Sequence, residues 1–308
     1  MPKTVLIAGG TGQIGSHLIP KLLSNDYSVK LLTRDVQKAK NLLRGTGIDF
    51  IQWNDNSSID ELSNHINVSD YVINLAGANV AGKRWSNKFK QLLYDSRINS
   101  TRKLVDAIRM SGKKPEAFIC ASGVGIYGFR SDTELNEEST YGKDFLAKLC
   151  IDWEAEAKKA EEFGVRVVNM RTGFVLDKNE GAFPKLSLPF KLFVGGYMGN
   201  GKQYISWIHI NDVIELYMFA LDDYFISEPL NLTAPNPVTN KQFCKAMGKA
   251  LHRPCWAPIP GFALKIISGE LSESLLHGQR VIPQKALDHH FKFEFTEIDT
   301  ALKDLVKK

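Results

Sequence analysis

The chain is poor in the features that mark membrane, secreted and nucleic-acid-binding proteins. No apolar run approaches the roughly 18 residues that a membrane-spanning helix needs, and Met1-Pro2-Lys3 leads straight into Thr4-Val5-Leu6-Ile7-Ala8 without a signal-peptide pattern. A cytoplasmic protein with no membrane contact is expected. Cysteine is scarce: Cys120, Cys150, Cys244 and Cys255 lie far apart with no C-x-x-C pair, so neither a zinc site nor a disulfide framework is indicated. Nor is charge concentrated. The 39 Lys+Arg and 34 Asp+Glu leave a net charge of +5 spread along the chain, which offers no basic block for nucleic acid. Internal repeats and low-complexity linkers are missing too. What is present, 308 residues of which 44% are hydrophobic, suffices for one large core or one core plus a smaller lobe.

Short β-branched runs alternate with longer stretches of helical period, the pattern of a parallel sheet covered by helices on both faces. Strands are predicted at Thr4–Ala8, Ser28–Thr33, Asp49–Trp53, Tyr71–Leu75, Ala117–Ala121 and Arg166–Met170, each almost continuously apolar. The clearest helices run over about Gly12–Leu23, Asn87–Met110 and Phe145–Phe163. Pro20 should kink the first or cost stability there, and Gly112 stands where the second needs a C-terminal glycine. From about Thr172 onward glycine and proline become frequent. The fold class read from this is α/β, a doubly wound parallel sheet of Rossmann type with a smaller, loop-rich C-terminal lobe. The sheet domain takes residues 1–175 and 205–232, and the substrate lobe takes 176–204 and 233–308.

The first strand ends in Gly9-Gly10-Thr11-Gly12-Gln13-Ile14-Gly15 and opens directly into the first helix. Glycines at 9, 12 and 15 supply a tight turn, close backbone approach to a pyrophosphate and close packing of helix on strand. In that context the motif points to a dinucleotide rather than to a plain glycine-rich turn. The second strand ends Leu32-Thr33-Arg34-Asp35. Arg34 is placed to grip a 2′-phosphate with Thr33 adding a hydroxyl, which favours NADP. Asp35, one residue on, is the competing NAD-type feature.

The motifs Asn74-Leu75-Ala76-Gly77, Ala121-Ser122-Gly123-Val124-Gly125-Ile126-Tyr127-Gly128, Arg171-Thr172-Gly173 and Trp207-Ile208-His209-Ile210-Asn211-Asp212-Val213 follow the glycine loop in order. With them the chain resembles the extended short-chain dehydrogenase/reductase superfamily. It is similar, more narrowly, to an atypical epimerase-like subgroup. That likeness is carried by Lys83-Arg84-Trp85, Ser96-Arg97, Leu149-Cys150, Trp153-Glu154, the stretch GNGKQYISWIHI from Gly199 to Ile210, and Pro237-Val238-Thr239-Asn240. The stretch His277-Gly278-Gln279-Arg280-Val281-Ile282-Pro283 resembles the subgroup's tail domain of unassigned function. The resemblance implies NADP(H) as cofactor, contacted by Thr33, Arg34, Leu75, Ala76 and Gly77, by Arg97 from the long helix, and by Val175 near the nicotinamide. It also implies a homodimer formed through the helices Asn87–Met110 and Phe145–Phe163.

One expected motif is missing. Most short-chain dehydrogenases use Tyr-x-x-x-Lys, in which lysine tunes the phenol that exchanges a proton as hydride moves. None of the nine tyrosines has a lysine four residues later, and alignment on Trp153-Glu154 puts Leu146 and Cys150 at the two positions. Ser122, at the carboxyl edge of the fifth strand, is a candidate to hydrogen-bond a substrate carbonyl or alcohol, or else a small residue for a turn. Tyr127 is a candidate proton donor, or an aromatic packed under the nucleotide loop. His209 reads as a structural residue at a domain junction and Asp212 as the cap of a helix starting at Val213. Lys83, Arg84 and Arg280 are candidates for an anionic substrate or plain surface charges, and Trp85 and Trp207 line the cleft or simply pack. His289-His290 has no further ligand nearby, so no metal site is expected. Two functions follow: an NADP-dependent epimerase-like or reductase-like enzyme acting on a nucleotide sugar or related polar metabolite, or a catalytically silent NADP-binding regulator.

Overall fold

The computed structural model describes residues 2–43, 47–54, 56–256, 258–261, 269–270, 273 and 276–307. Its centre is a parallel sheet of β1 (Thr4–Ala8), β2 (Ser28–Thr33), β3 (Ile48–Gln52), β4 (Tyr71–Asn74), β5 (Ala117–Gly123), β7 (Arg166–Thr172) and β11 (Glu228–Leu232). The short β6 (Glu134–Leu135), β8 (Phe174–Leu176), β9 (Tyr204–Ile205) and β10 (Trp207–His209) lie outside it. The spatial order β11-β7-β5-β4-β1-β2-β3 reverses direction between β4 and β1, which opens a crevice at the carboxyl ends of those two strands. The six predicted strands are all there. The seventh, β11, carries Pro229, which an edge strand tolerates because one side of it needs no ladder partner.

Alternation along each strand explains why the runs are apolar throughout. Val5, Ile7, Ile73 and Ile119 pack with α1 (Gln13–Ser24) and α7 (Ile210–Asp222) on one face. Leu6, Ala8, Val72 and Phe118 pack with α3 (Ile59–Asn67), α4 (Asn87–Met110) and α5 (Phe145–Lys158) on the other. The helix α2 (Val36–Leu42) follows β2. Pro20 lies inside α1 without ending it. Gly112 does not supply a left-handed cap for α4; instead Lys114 Nζ donates to the carbonyls of Ile108, Arg109 and Ser111 and satisfies the helix end. The predicted helix to Phe163 is α5 plus a 3₁₀ turn over Lys159–Phe163, closed by left-handed Gly164.

A separate core joins Leu176, Trp207 and Phe295 to α6 (Phe183–Lys191), α8 (Asn240–Leu251) and α10 (Ile298–Val306). The antiparallel pairing of β9 with β12 (Val238–Thr239) leads into α8, whose start is a capping box of Thr239 and Gln242. The tail returns through β13 (Arg280–Val281), which pairs with β6, and α9 (Gln284–Asp288). Among the described residues no helix is long and apolar enough to cross a membrane. Residues 262–268 of the expected lobe lie outside the described set.

Candidate functional site

The glycine loop sits at the crevice, and its three key glycines are needed for different reasons. Gly9 has φ +77°, and a Cβ there would stand 2.6 Å from the Ala76 nitrogen; at Gly15 a Cβ would stand 2.3 Å from the Gly10 Cα. These two close the loop against the chain after β4 and the helix against the loop. Gly12 is different. A Cβ there would meet only the Gly9 carbonyl, at 3.4 Å, so the backbone faces open space at the start of α1. No side chain caps that helix and no acidic residue stands in its first turn, so its positive end remains available to an anion.

The flanking residues suit the rest of a dinucleotide. Thr33 is buried and its Oγ1 accepts from the Asp35 backbone nitrogen at 3.3 Å. Asp35 caps α2 by accepting from the Lys38 nitrogen, so its carboxylate already has a partner. Arg34 is exposed and makes no ion pair with any described residue; its carbonyl accepts from Gln52. Asn74, fully buried, accepts from the Ala76 nitrogen and donates to Thr101, which shapes the Leu75-Ala76-Gly77 exit. Arg97 crosses behind that exit: a Cβ on Gly77 would lie 3.1 Å from its guanidinium carbon. Its Nη1 donates to the Leu93 carbonyl and its charge stacks 5.1 Å from the Trp153 ring. Burial holds the Arg97 pKa below its usual value, and no described carboxylate pairs with it. A half-buried cation left unpaired beside an open helix start fits a pyrophosphate. Val175 lies in β8, where it is the register partner of Ile208 in β10.

The proposed catalytic hydroxyls are placed differently from the expectation. Ser122 and Arg171 are register partners on the α5 side of the sheet. Ser122 Oγ donates to Glu154 at 2.6 Å, and Arg171 donates to both Glu154 oxygens at 2.8 Å. Arg171 also donates to Tyr127 Oη at 2.9 Å, while that phenol donates to Asn231 at 2.7 Å. Tyr127 is fully buried and its pKa is pushed up to about 12 by burial. Burial works against the Arg171 charge, yet the bonds and charge of Glu154 outweigh it and raise its pKa. Both hydroxyls thus serve a buried ionic network, Ser122 through Glu154 and Tyr127 through Arg171 and Asn231.

Leu146 and Cys150, at the positions aligned with the missing tyrosine and lysine, pack against the end of β5 and the turn after it. A Cβ on Gly125 would meet the Leu146 Cβ at 3.2 Å, and one on Gly123 the Cys150 sulfur at 3.7 Å. Burial pushes the Cys150 thiol up to about 12, so it is neutral.

The remaining candidates are structural or peripheral. His209, not Asp212, caps α7: its Nδ1 accepts from the Asn211 nitrogen, and Asp212 instead accepts from the backbone of Glu294 and Phe295. Trp207 is buried and donates to the Asn236 carbonyl, and Trp85 donates to the Val80 carbonyl. Arg280 pairs with Glu134, His289 lies 3.4 Å from Asp223, and Lys83 and Arg84 are exposed on the loop before α4. The sequence reading missed Glu154 and Arg171 as partners, since their 17-residue separation hides a contact across helix and strand.

Comparison with known proteins agrees with this geometry. Residues 5–232 match the model of the NAD dependent epimerase/dehydratase family, and residues 259–305 match a domain of unknown function, DUF1731. The chain is 37% identical over 304 residues to epimerase family protein YfhF of Bacillus subtilis, covering 98% of this chain and 97% of that protein. It is also 37% identical to the Arabidopsis thaliana homolog of epimerase family protein SDR39U1, described as chloroplastic, over 99% of this chain and 87% of that one. Among solved structures it is similar to human epimerase family protein SDR39U1 with NADPH, at 32% identity and TM-score 0.86, covering 98% of each chain. The UDP-glucuronic acid 4-epimerase of Bacillus cereus shares the fold at 18% identity and TM-score 0.77, over 97% of this chain and 96% of that one.

Proposed function

Since the chain belongs to the NAD dependent epimerase/dehydratase family, we propose that it binds NADP(H) in preference to NAD(H) and exchanges hydride with an alcohol or carbonyl carbon of a polar metabolite, nucleotide sugars included. The observation that carries the cofactor preference is the pairing state of two neighbours: Asp35 is engaged as a helix cap while Arg34 makes no ion pair with any described residue. An acidic side chain bound to its own helix competes poorly for a ribose, whereas an exposed guanidinium matches a 2′-phosphate. The NADPH in the human relative's structure supports the same reading. When bound, the nicotinamide supplies the hydride. The chain's own part is to hold the pyrophosphate between the start of α1 and Arg97, and the adenosine phosphate at Thr33 and Arg34.

The wall of Leu146 and Cys150 favours a second reading, in which NADP(H) occupancy orders the cleft for a protein partner without turnover. A cytoplasmic protein is part of both readings. So is a homodimer through α4 and α5, where α4 leaves Leu92 and Met110 about half exposed; light scattering that shows only monomer removes the dimer.

Titration with NADPH and NADH, followed by nicotinamide fluorescence, tests the cofactor on wild type and Arg34→Ala. The expected result is NADPH affinity about tenfold or more weaker in the variant with NADH binding unchanged, the size of a lost charge-assisted contact. Equal weakening for both nucleotides overturns the NADP assignment. Transfer of deuterium from 4-deuterated NADPH to any member of a metabolite screen separates the enzyme from the silent regulator.

A further inference from the structure

Beyond the glycine loop, a second segment stands over the start of α1. The chain leaves β8 at Leu176 and runs through Asp177-Lys178-Asn179-Glu180-Gly181 before α6. Gln13, the first residue of α1 and the neighbour of open Gly12, reaches this segment: its amide donates to the Glu180 carbonyl at 3.5 Å. Gly181 has φ +74°, and a Cβ there would collide with the Gln13 amide at 2.6 Å, so the two are in close contact. One turn on, His17 Nε2 lies 3.1 Å from the carboxylate of Asp177, which is 1% exposed and whose other oxygen accepts from the Asn179 nitrogen. A further turn on, Lys21 pairs with Glu215 of α7. Positions 13, 17 and 21 recur every four residues, so one stripe of α1 is tied along its length. The far side of the segment is tied as well: Lys178 Nζ donates to the Lys307 carbonyl just past α10.

These contacts link three parts of the molecule at one place. The first turn of α1, where the pyrophosphate would sit, is bridged to the segment after β8 and through it to the C-terminal helix. We propose that residues 177–181 form a clasp that retains the bound dinucleotide, with Gln13 as its post and the Asp177–His17 pair as its anchor. This rests on the dinucleotide reading and adds to it a control of release. Gln13 acts here as a positioning residue through its side chain, separately from its backbone at the helix start. The cofactor leaves only when the Gln13–Gly181 contact opens, so loosening the post or the anchor speeds dissociation without removing a phosphate ligand.

Stopped-flow displacement of NADPH by excess NADP+ tests this on wild type, Gln13→Ala and His17→Gln, with thermal melting of each. The expected result is a dissociation rate about three- to tenfold higher in Gln13→Ala, the size of one lost contact, a smaller rise in His17→Gln, and full binding amplitude in both. A structural role alone lowers the amplitude by unfolding a fraction of the protein and leaves the rate unchanged. Unchanged dissociation rates in both variants overturn the clasp while leaving the cofactor assignment intact. Wild type that binds neither nucleotide overturns both.

Discussion

The start of α1 and the buried network behind β5 and β7 are built on opposite principles. Around the glycine loop the protein leaves groups unspent: Gly12 faces open space, α1 starts without a cap, and neither Arg34 nor Arg97 pairs with a described carboxylate. At the carboxyl ends of β5 and β7, Ser122, Tyr127, Glu154 and Arg171 satisfy one another inside the core, with Leu146 and Cys150 packed nearby. Unpaired charge in a half-buried place costs stability and is worth keeping only where a ligand completes it. A satisfied network costs nothing of that kind but has no proton to spare. The two regions thus differ in which polar groups are left free and which are satisfied internally.

The comparison breaks most visibly at Glu154. Glu154→Gln leaves the Arg171 charge buried without its counter-ion, and the expected loss is about 3–5 kcal/mol in urea unfolding. A loss below about 1 kcal/mol would mean that the network is solvated rather than buried. The two ends of the glycine loop separate next. Gly15→Ala drives a methyl into the Gly10 backbone and should cost about 1–3 kcal/mol of stability. Gly12→Ala should leave the melting temperature alone yet weaken NADPH binding about tenfold or more, because its methyl occupies the space left for phosphate.

Tyr127→Phe is a milder change. It strips one hydroxyl from between Arg171 and Asn231 and should cost about 1 kcal/mol, with NADPH affinity unchanged. Hydride transfer to an identified substrate that disappears in this variant, while stability holds, would restore the phenol to a chemical role.

The smallest effect is a pH dependence at the junction of sheet and tail. Burial holds the His209 pKa below its ordinary 6.5, with Asp304, Glu294 and Asp177 pulling the other way. Its contribution is therefore complete above pH 6.5 and is lost as the pH falls through the folded value, where protonation of Nδ1 also ends the cap on α7. Asp212, pushed up to about 6 by burial, has the opposite sign: its contribution is present below its ordinary 3.8 and is lost as the pH rises through about 6. His209→Asn keeps a capping oxygen and removes the titration. Unfolding midpoints measured from pH 7 down to 5 should fall less in this variant than in wild type.

Legibility followed the range of the interactions. The inner strands β1, β4 and β5 were readable because each is a local apolar run buried on both faces, and α4 because its period and its Ser86 cap are local. The strand β11 escaped, since Glu228 to Leu232 contains a proline and two polar residues that only an edge position accommodates. At the site, the glycine loop, Arg34 and the missing Tyr-x-x-x-Lys pair were all visible as spacings. The engagement of Ser122 and Tyr127 was not, because their partners Glu154, Arg171 and Asn231 are 32, 44 and 104 residues away.

The sequence alone thus determined the doubly wound class, the glycine spacing of the Gly9 to Gly15 loop and the lack of a Tyr-x-x-x-Lys pair, since each depends on residue type at short separation. Tertiary structure decided which polar groups are spent and which are free. Whether a hydroxyl or a charge is available for chemistry depends on what folds against it, and the chain joins Ser122 to Glu154, Tyr127 to Asn231 and Gln13 to Glu180 only when sheet, helices and tail close on one another.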